Sequence, residues 1–142
     1  MLSIDTNIFA YAQNPDCPEF DRARRFMSDC ALRRDVVVCE LVLVELYMLL
    51  RNPAVVANPL DAGTAAVVCQ AYRRNPFWII VENAPVMGSV WRLAAEDGFA
   101  RRRIIDARIA KTVQFHGVDE FVTVNTKDFK SLGFRRVWNP LV

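Results

Sequence analysis

Five side chains in this 142-residue chain combine a type and a position from which phosphate or metal chemistry can be assembled: Asp5, Glu45, Asp106, Asn125 and Asp128. Asp5 opens Asp5-Thr6-Asn7 directly after the apolar run Leu2–Ile4, where an aspartate commonly caps a helix or closes an Asx turn. Glu45 is the only charge between Leu41 and Leu50. A helix apolar all round is a buried helix, and a buried glutamate needs a cation or hydrogen bonds to replace its water. Either a metal ion or an arginine is therefore expected to face Glu45. Asp106 stands in Ile104-Ile105-Asp106-Ala107-Arg108-Ile109-Ala110, in line with Ala110 and Val113 at helical spacing, so it points along or beside the apolar face. Asn125 ends the run Val122-Thr123-Val124, and Asp128 follows one turn later.

Two carboxylates about 4 Å apart repel by roughly 4 kcal/mol at an effective dielectric near 20, so a group of three stays ionised only around a cation. Oxygen ligands select a hard ion such as Mg²⁺ or Mn²⁺ over zinc. His116, the only histidine, stands beside Gly117 at a helix end and reads as a cap or surface residue, not a ligand.

The elements that must carry these residues follow from apolar periodicity. Short β-like runs are expected at Leu2–Ile4, Val36–Cys39, Trp78–Val81, Phe121–Val124 and Arg136–Trp138. Helical spacing is expected around Ala23–Ala31 and over Leu41–Leu50, Ala62–Tyr72, Met87–Glu96 and Ile105–Phe115, with a short turn at Lys127–Leu132. Alternation of this kind predicts a parallel sheet covered by helices, in which the strands deliver their carboxyl ends to one edge. Asp5 and Asn125 fall at such ends.

Composition narrows the rest. Hydrophobic residues make up 53% and charged residues 24%, which excludes a disordered or low-complexity chain. No repeat or linker interrupts the pattern, and a single domain over residues 1–142 is expected. A net charge of +2 does not by itself signal nucleic acid, so any basic patch must be local. The arginine run Arg101-Arg102-Arg103, close before Asp106, is the strongest candidate for meeting phosphates or the acidic residues of a protein partner. No apolar run reaches the roughly 20 residues of a membrane span, Met1–Asp5 lacks a basic leader, and Cys17, Cys30, Cys39 and Cys69 form no C-x-x-C pair. A cytoplasmic protein with reduced thiols and no membrane partner is expected.

Four segments taken in order resemble the motifs of the PIN-domain ribonucleases, specifically the VapC toxins of type II toxin–antitoxin pairs. They are Ile4-Asp5-Thr6-Asn7-Ile8-Phe9, Leu43-Val44-Glu45-Leu46-Tyr47, Arg103-Ile104-Ile105-Asp106-Ala107-Arg108-Ile109-Ala110 and Thr123-Val124-Asn125-Thr126-Lys127-Asp128-Phe129. The resemblance covers essentially the whole chain. It implies a PIN-like three-layer α/β/α sandwich with a central, mainly parallel sheet of four to five strands. It also implies an endoribonuclease whose Asp5, Glu45 and Asp106 hold Mg²⁺ or Mn²⁺, with RNA as substrate, a cognate antitoxin as partner, and a homodimer. Thr6 and Asn125 would then orient ligands or water. Many relatives carry aspartate where this chain has Asn125, which removes one charge; either Asn125 or Asp128 completes the site. Two other readings compete. A dehalogenase-like phosphatase would need a second acid two residues after the first, where this chain has Asn7. A catalytically silent PIN-like module that binds only RNA or protein is kept open by Asn125.

Overall fold

Each strand of the protein is three residues long, so its register rests on what flanks it; Leu2–Ile4 and Val37–Cys39 are each followed almost at once by a helix. The computed structural model describes Met1–Val142. Its order is β1 (Leu2–Ile4), α1 (Thr6–Ala12), α2 (Phe20–Cys30), β2 (Val37–Cys39), α3 (Glu40–Leu50), α4 (Ala62–Arg73), β3 (Ile79–Val81), α5 (Met87–Ala94), α6 (Arg103–Phe115), β4 (Glu120–Val122), α7 (Thr126–Phe129), a 3₁₀ turn (Lys130–Leu132) and β5 (Arg136–Trp138). Every strand pair is parallel: β1 with β4, β4 with β5, and β2 with β3. The strands form two sheets, β1-β4-β5 and β2-β3. They are joined by a single parallel bridge, Leu2 to Val36, where the Leu2 amide donates to the Asp35 carbonyl at 2.9 Å.

The expected four- to five-strand parallel layer is thus present as five strands with a seam between β1 and β2. Chain order reverses at β1: β2 and β3 extend to one side, β4 and β5 to the other. That reversal opens a crevice at the carboxyl ends. The interior residues of β1 and β2 are buried on both faces, Leu2, Ile4, Val37 and Val38 at 1% exposure or less, because helices cover both sides. Helices α1 to α4 pack on one another, and α5 packs on α6, which lies against β2. One large core, centred on Phe9, Leu46, Ile109 and Phe121, joins the layers, and a small satellite forms around Val86, Val90 and Ala107.

Gly117 shows how sharply a sequence signal can be obeyed. After the α6 cap at His116, the Gly117 amide bonds the Gln114 carbonyl at 2.9 Å and the Val118 amide bonds Val113 at 3.1 Å. This pair of bonds needs a left-handed residue, and Gly117 adopts φ +90°. His116 is a cap residue of this turn, as its position implies, and all four cysteines are free.

Three expectations need correction. The α3 helix is not buried all round: Val44 and Met48 are 50% and 64% exposed, so one flank faces solvent. Strand β4 ends at Val122 and not Val124, because the Thr123 hydroxyl oxygen accepts the Asn125 amide and closes the chain toward α7. The α6 helix also begins two residues earlier than its periodicity indicates, at Arg103, which puts Asp106 in its first turn.

Candidate active site

Asp5 lies at the carboxyl end of β1 and is only 7% exposed. Its Oδ1 accepts the Thr6 amide at 2.8 Å, which caps α1, so the ordinary capping role is real. Its Oδ2 accepts two further donors, the Thr123 hydroxyl at 2.6 Å and the Asn7 amide at 3.1 Å. Thr123 is fully buried on the turn after β4, and its oxygen in turn accepts the Asn125 amide at 3.0 Å and Asn7 at 3.3 Å. With its acceptor sites so used, the one hydroxyl proton is directed to Asp5. Neither Asn7 nor Thr123 stands out in sequence as a site residue; the signal was their place in the first and fourth motifs, two residues from an acid or amide.

Glu45 sits on α3 and faces neither an arginine nor a lysine. Its Oε1 accepts the Thr6 hydroxyl at 3.2 Å, so Thr6 links the end of β1 to α3 across the seam. Asp106 is half-buried in the first turn of α6 and has no hydrogen-bond partner in the protein. Asp128 is exposed on α7. None of these four carboxylates takes part in an ion pair; those pairs lie elsewhere, on Asp35, Glu40, Asp119 and Glu120.

Proximity without an ion pair shifts the proton affinities. Burial pushes the Asp5 carboxyl up to about 6, against the bonds from Thr123 and the Thr6 amide, and repulsion from Glu45 and Asp128 adds to the rise. Burial also lifts Asp106 to about 6, aided by Asp5 and Asp128 and opposed by Arg103. Glu45 is raised by burial, with Thr6 opposing and Asp106 adding to it. The structure therefore brings Asp5, Glu45, Asp106 and Asp128 within electrostatic reach of one another. Holding Asp5 ionised at neutral pH costs the fold about 3 kcal/mol.

As a donor set these residues suit a hard divalent cation: all are carboxylates, several oxygens lack partners, and their mutual repulsion is what such an ion would relieve. No three acidic, histidine or cysteine side chains converge into a ready-made cage, so the carboxylates flank the site without closing on one point.

Asn125 is exposed, and only its backbone amide takes part in the hydrogen bonding of the site. Arg101 and Arg102 are exposed at the start of α6. Arg103 corrects the expectation of a free basic rim: its guanidinium donates to the Asp128 carbonyl and, at 3.4 Å, to Ser131, and it lies over the Phe99 ring. It is a tether between α6 and the α7 turn.

A doubly flanked parallel sheet with an uncompensated acidic group at its reversal point is a PIN-domain arrangement, and the chain belongs to that family: the family described as PIN domain matches residues 2–135. Within it, the chain is similar to the protein named Ribonuclease VapC24 from Mycobacterium tuberculosis, 61% identical over 141 residues that cover 99% of this chain and 97% of that one. Solved structures share the fold at lower identity. The M. tuberculosis toxin VapC20, titled a sarcin–ricin loop cleaving toxin, is 18% identical over 94% of this chain and 96% of that one, with TM-score 0.71. FitAcB from Neisseria gonorrhoeae is 21% identical over 99% and 98%, with TM-score 0.68. FitAB bound to an IR36 DNA fragment is 20% identical over 100% and 96%, with TM-score 0.67.

Proposed function

We propose that the chain is a metal-dependent endoribonuclease that acts as the toxin of a toxin–antitoxin pair and hydrolyses RNA phosphodiester bonds. The observation that carries the reading is the set of four neighbouring carboxylates, Asp5, Glu45, Asp106 and Asp128, none of which forms an ion pair. Asp5, Glu45 and Asp106 would hold Mg²⁺ or Mn²⁺, with Asp128 beside them. When bound, such an ion supplies acidification of water and screening of the phosphate charge.

The protein's own part is orientation. Thr123 and Asn7 fix the Asp5 carboxylate, Thr6 fixes Glu45, and partly buried surroundings strengthen every charge interaction at the edge. Asp106, with both oxygens unbonded, is the group freest to take up an ion. The likeness to a protein named Ribonuclease VapC24 supports RNA as substrate; a cognate antitoxin and a second copy of the chain are the partners proposed with it. The cytoplasm is the corresponding compartment, and no helix is long and apolar enough to cross a membrane.

The test is end-labelled RNA incubated with the purified protein in Mg²⁺, Mn²⁺ or chelator, beside calorimetric titration with Mn²⁺ alone. Internal cuts that require the divalent ion are expected, together with Mn²⁺ binding that Asp106→Asn abolishes. Intact RNA in every metal would reduce the protein to a binding module.

A further inference from the structure

On α6, two residues beyond Asp106, Arg108 is exposed and turned toward the carboxyl ends of β2 and β3. One of its five N–H donors binds the Asn83 side-chain oxygen at 2.7 Å, in the loop that leaves β3. The remaining donors have no partner in the protein. Its charge also reaches Cys39, the last residue of β2. Burial raises that thiol, the Leu41 amide opposes the rise, and the Arg108 charge opposes it next.

The bridge between Leu2 and Val36 sets the register of the seam. Counting three residues on along each parallel strand places Cys39 beside Asp5. Arg108 thus stands over the strand end next to the acidic group, on the side away from Thr123.

Other arginines do not share this state. Arg33, Arg73, Arg135 and Arg136 are neutralised by carboxylates, and Glu40, the first residue of α3, is occupied by Arg73. Glu82, the other acid at these strand ends, has no ion pair with Arg108. Arg103 is spent on a backbone carbonyl and Ser131. Arg101 and Arg102 are exposed with no partner that would fix their direction. Arg108 alone at this edge is held in place by a neutral amide while keeping its full charge. That combination is what anion recognition requires, because a guanidinium fork that is already oriented loses less entropy on binding.

We infer that Arg108, oriented by Asn83, binds a phosphate of the RNA strand on the β2–β3 side of the acidic group, a role that rests on the ribonuclease reading. It is a binding residue and takes no part in bond breaking. Its loss should therefore raise KM and leave kcat and Mn²⁺ affinity unchanged.

The experiment measures fluorescence anisotropy of a labelled single-stranded U20 RNA in chelator, where no cleavage occurs, and KM and kcat on the same RNA with Mn²⁺. Wild type, Arg108→Ala, Arg108→Lys, Asn83→Ala and the control Arg92→Ala are compared, with thermal unfolding to confirm folding. Arg108→Ala should weaken binding about tenfold, the scale of one charge-assisted hydrogen-bonded contact. The slope of log affinity against log salt should fall by about 0.7. Arg108→Lys should restore the slope with only part of the affinity, since an ammonium keeps the charge but not the fork. Asn83→Ala should lose affinity with the slope intact.

Equal binding and KM for Arg108→Ala and Arg92→Ala would overturn the proposal while leaving an active ribonuclease in place. Weaker RNA binding by Arg108→Ala, alongside a wild type that cuts nothing in Mn²⁺, would uphold the phosphate contact and remove the ribonuclease reading. Unchanged RNA binding with lost affinity for a poly-glutamate peptide would assign Arg108 to an acidic protein segment and overturn it.

Discussion

Asp5 and Asp106 reach the same proton affinity, about 6, by opposite constructions. Asp5 is nearly sealed at the sheet edge, and three donors from Thr6, Asn7 and Thr123 recover part of the cost of its burial. Asp106 is less buried, has no donor at all, and is raised by burial first and then by the carboxylates of Asp5 and Asp128. One acid is built into the fold; the other is presented by it. The two aspartates should therefore respond differently to the same kinds of change.

The largest contrast is expected from Asp106→Asn. The substitution keeps shape, orphans no donor and removes one charge from the repelling group. Metal-dependent cleavage should fall by about 10²-fold or more, the scale seen when an electrostatic stabiliser is lost. Thermal stability in chelator should rise by contrast. A variant that cleaves at the wild-type rate would separate Asp106 from the chemistry.

Next in size is Thr123→Val. It deprives Asp5 of its shortest bond and leaves the Asn125 amide without an acceptor, so denaturant unfolding should show a loss of about 1–3 kcal/mol. Cleavage should fall with it, and Thr123→Ser should recover both. An unchanged stability would mean that Asp5 is held by Thr6 and Asn7 alone.

The pH dependence is smaller and has a definite sign. A carboxyl whose folded pKa lies above its unfolded value binds more protons when folded, so stability falls as pH rises between the two. For Asp5 and Asp106 that window runs from 3.8 to about 6. Metal-free protein should lose stability across it and level off above, and Asp106→Asn should flatten part of the slope. Added Mn²⁺ should raise the melting temperature more at pH 7.5 than at pH 5, because protonated carboxyls bind cations poorly. An equal rise at both pH values would place Mn²⁺ away from these aspartates.

The smallest effect is expected at Asn125. Its side chain is exposed, so Asn125→Asp should change metal-free stability by less than about 1 kcal/mol while tightening Mn²⁺ in calorimetry. Unaltered Mn²⁺ affinity would put position 125 outside the ion's reach.

Order and type of most elements were legible from β-branched runs such as Val36-Val37-Val38 and from helix stops such as Asn52-Pro53 and Gly117; the short helix Thr6–Ala12 was not, because it ends at Gln13 with no glycine or proline to mark it. The acidic positions were legible because carboxylates are costly in apolar surroundings, which made Glu45 conspicuous. What escaped was whatever depends on tertiary partners. The exposed flank of α3 was hidden because Val44 and Met48 are as apolar as the residues they sit beside. Arg103 reads as one of three equivalent arginines until the α7 turn is folded against it. The hydroxyl of Thr123 becomes directional only when Asp5, Asn7 and Asn125 surround it, and nothing local encodes that meeting. Arg108 was eclipsed by the denser arginine run a few residues earlier.

The single bridge between β1 and β2 has a mechanical consequence. Ladder hydrogen bonds knit β1 to β4 and β2 to β3, but across the seam the halves are held mainly by side-chain packing. Asp5 rides on one half and Glu45 on the other, with the Thr6 hydroxyl as the stitch between them. The spacing of these two acids is thus set by side-chain packing and the Thr6 hydroxyl, not by a ladder of backbone hydrogen bonds. The protein carries its acids on two ladders that share a single bridge, and an ion seated between them would act as the rivet.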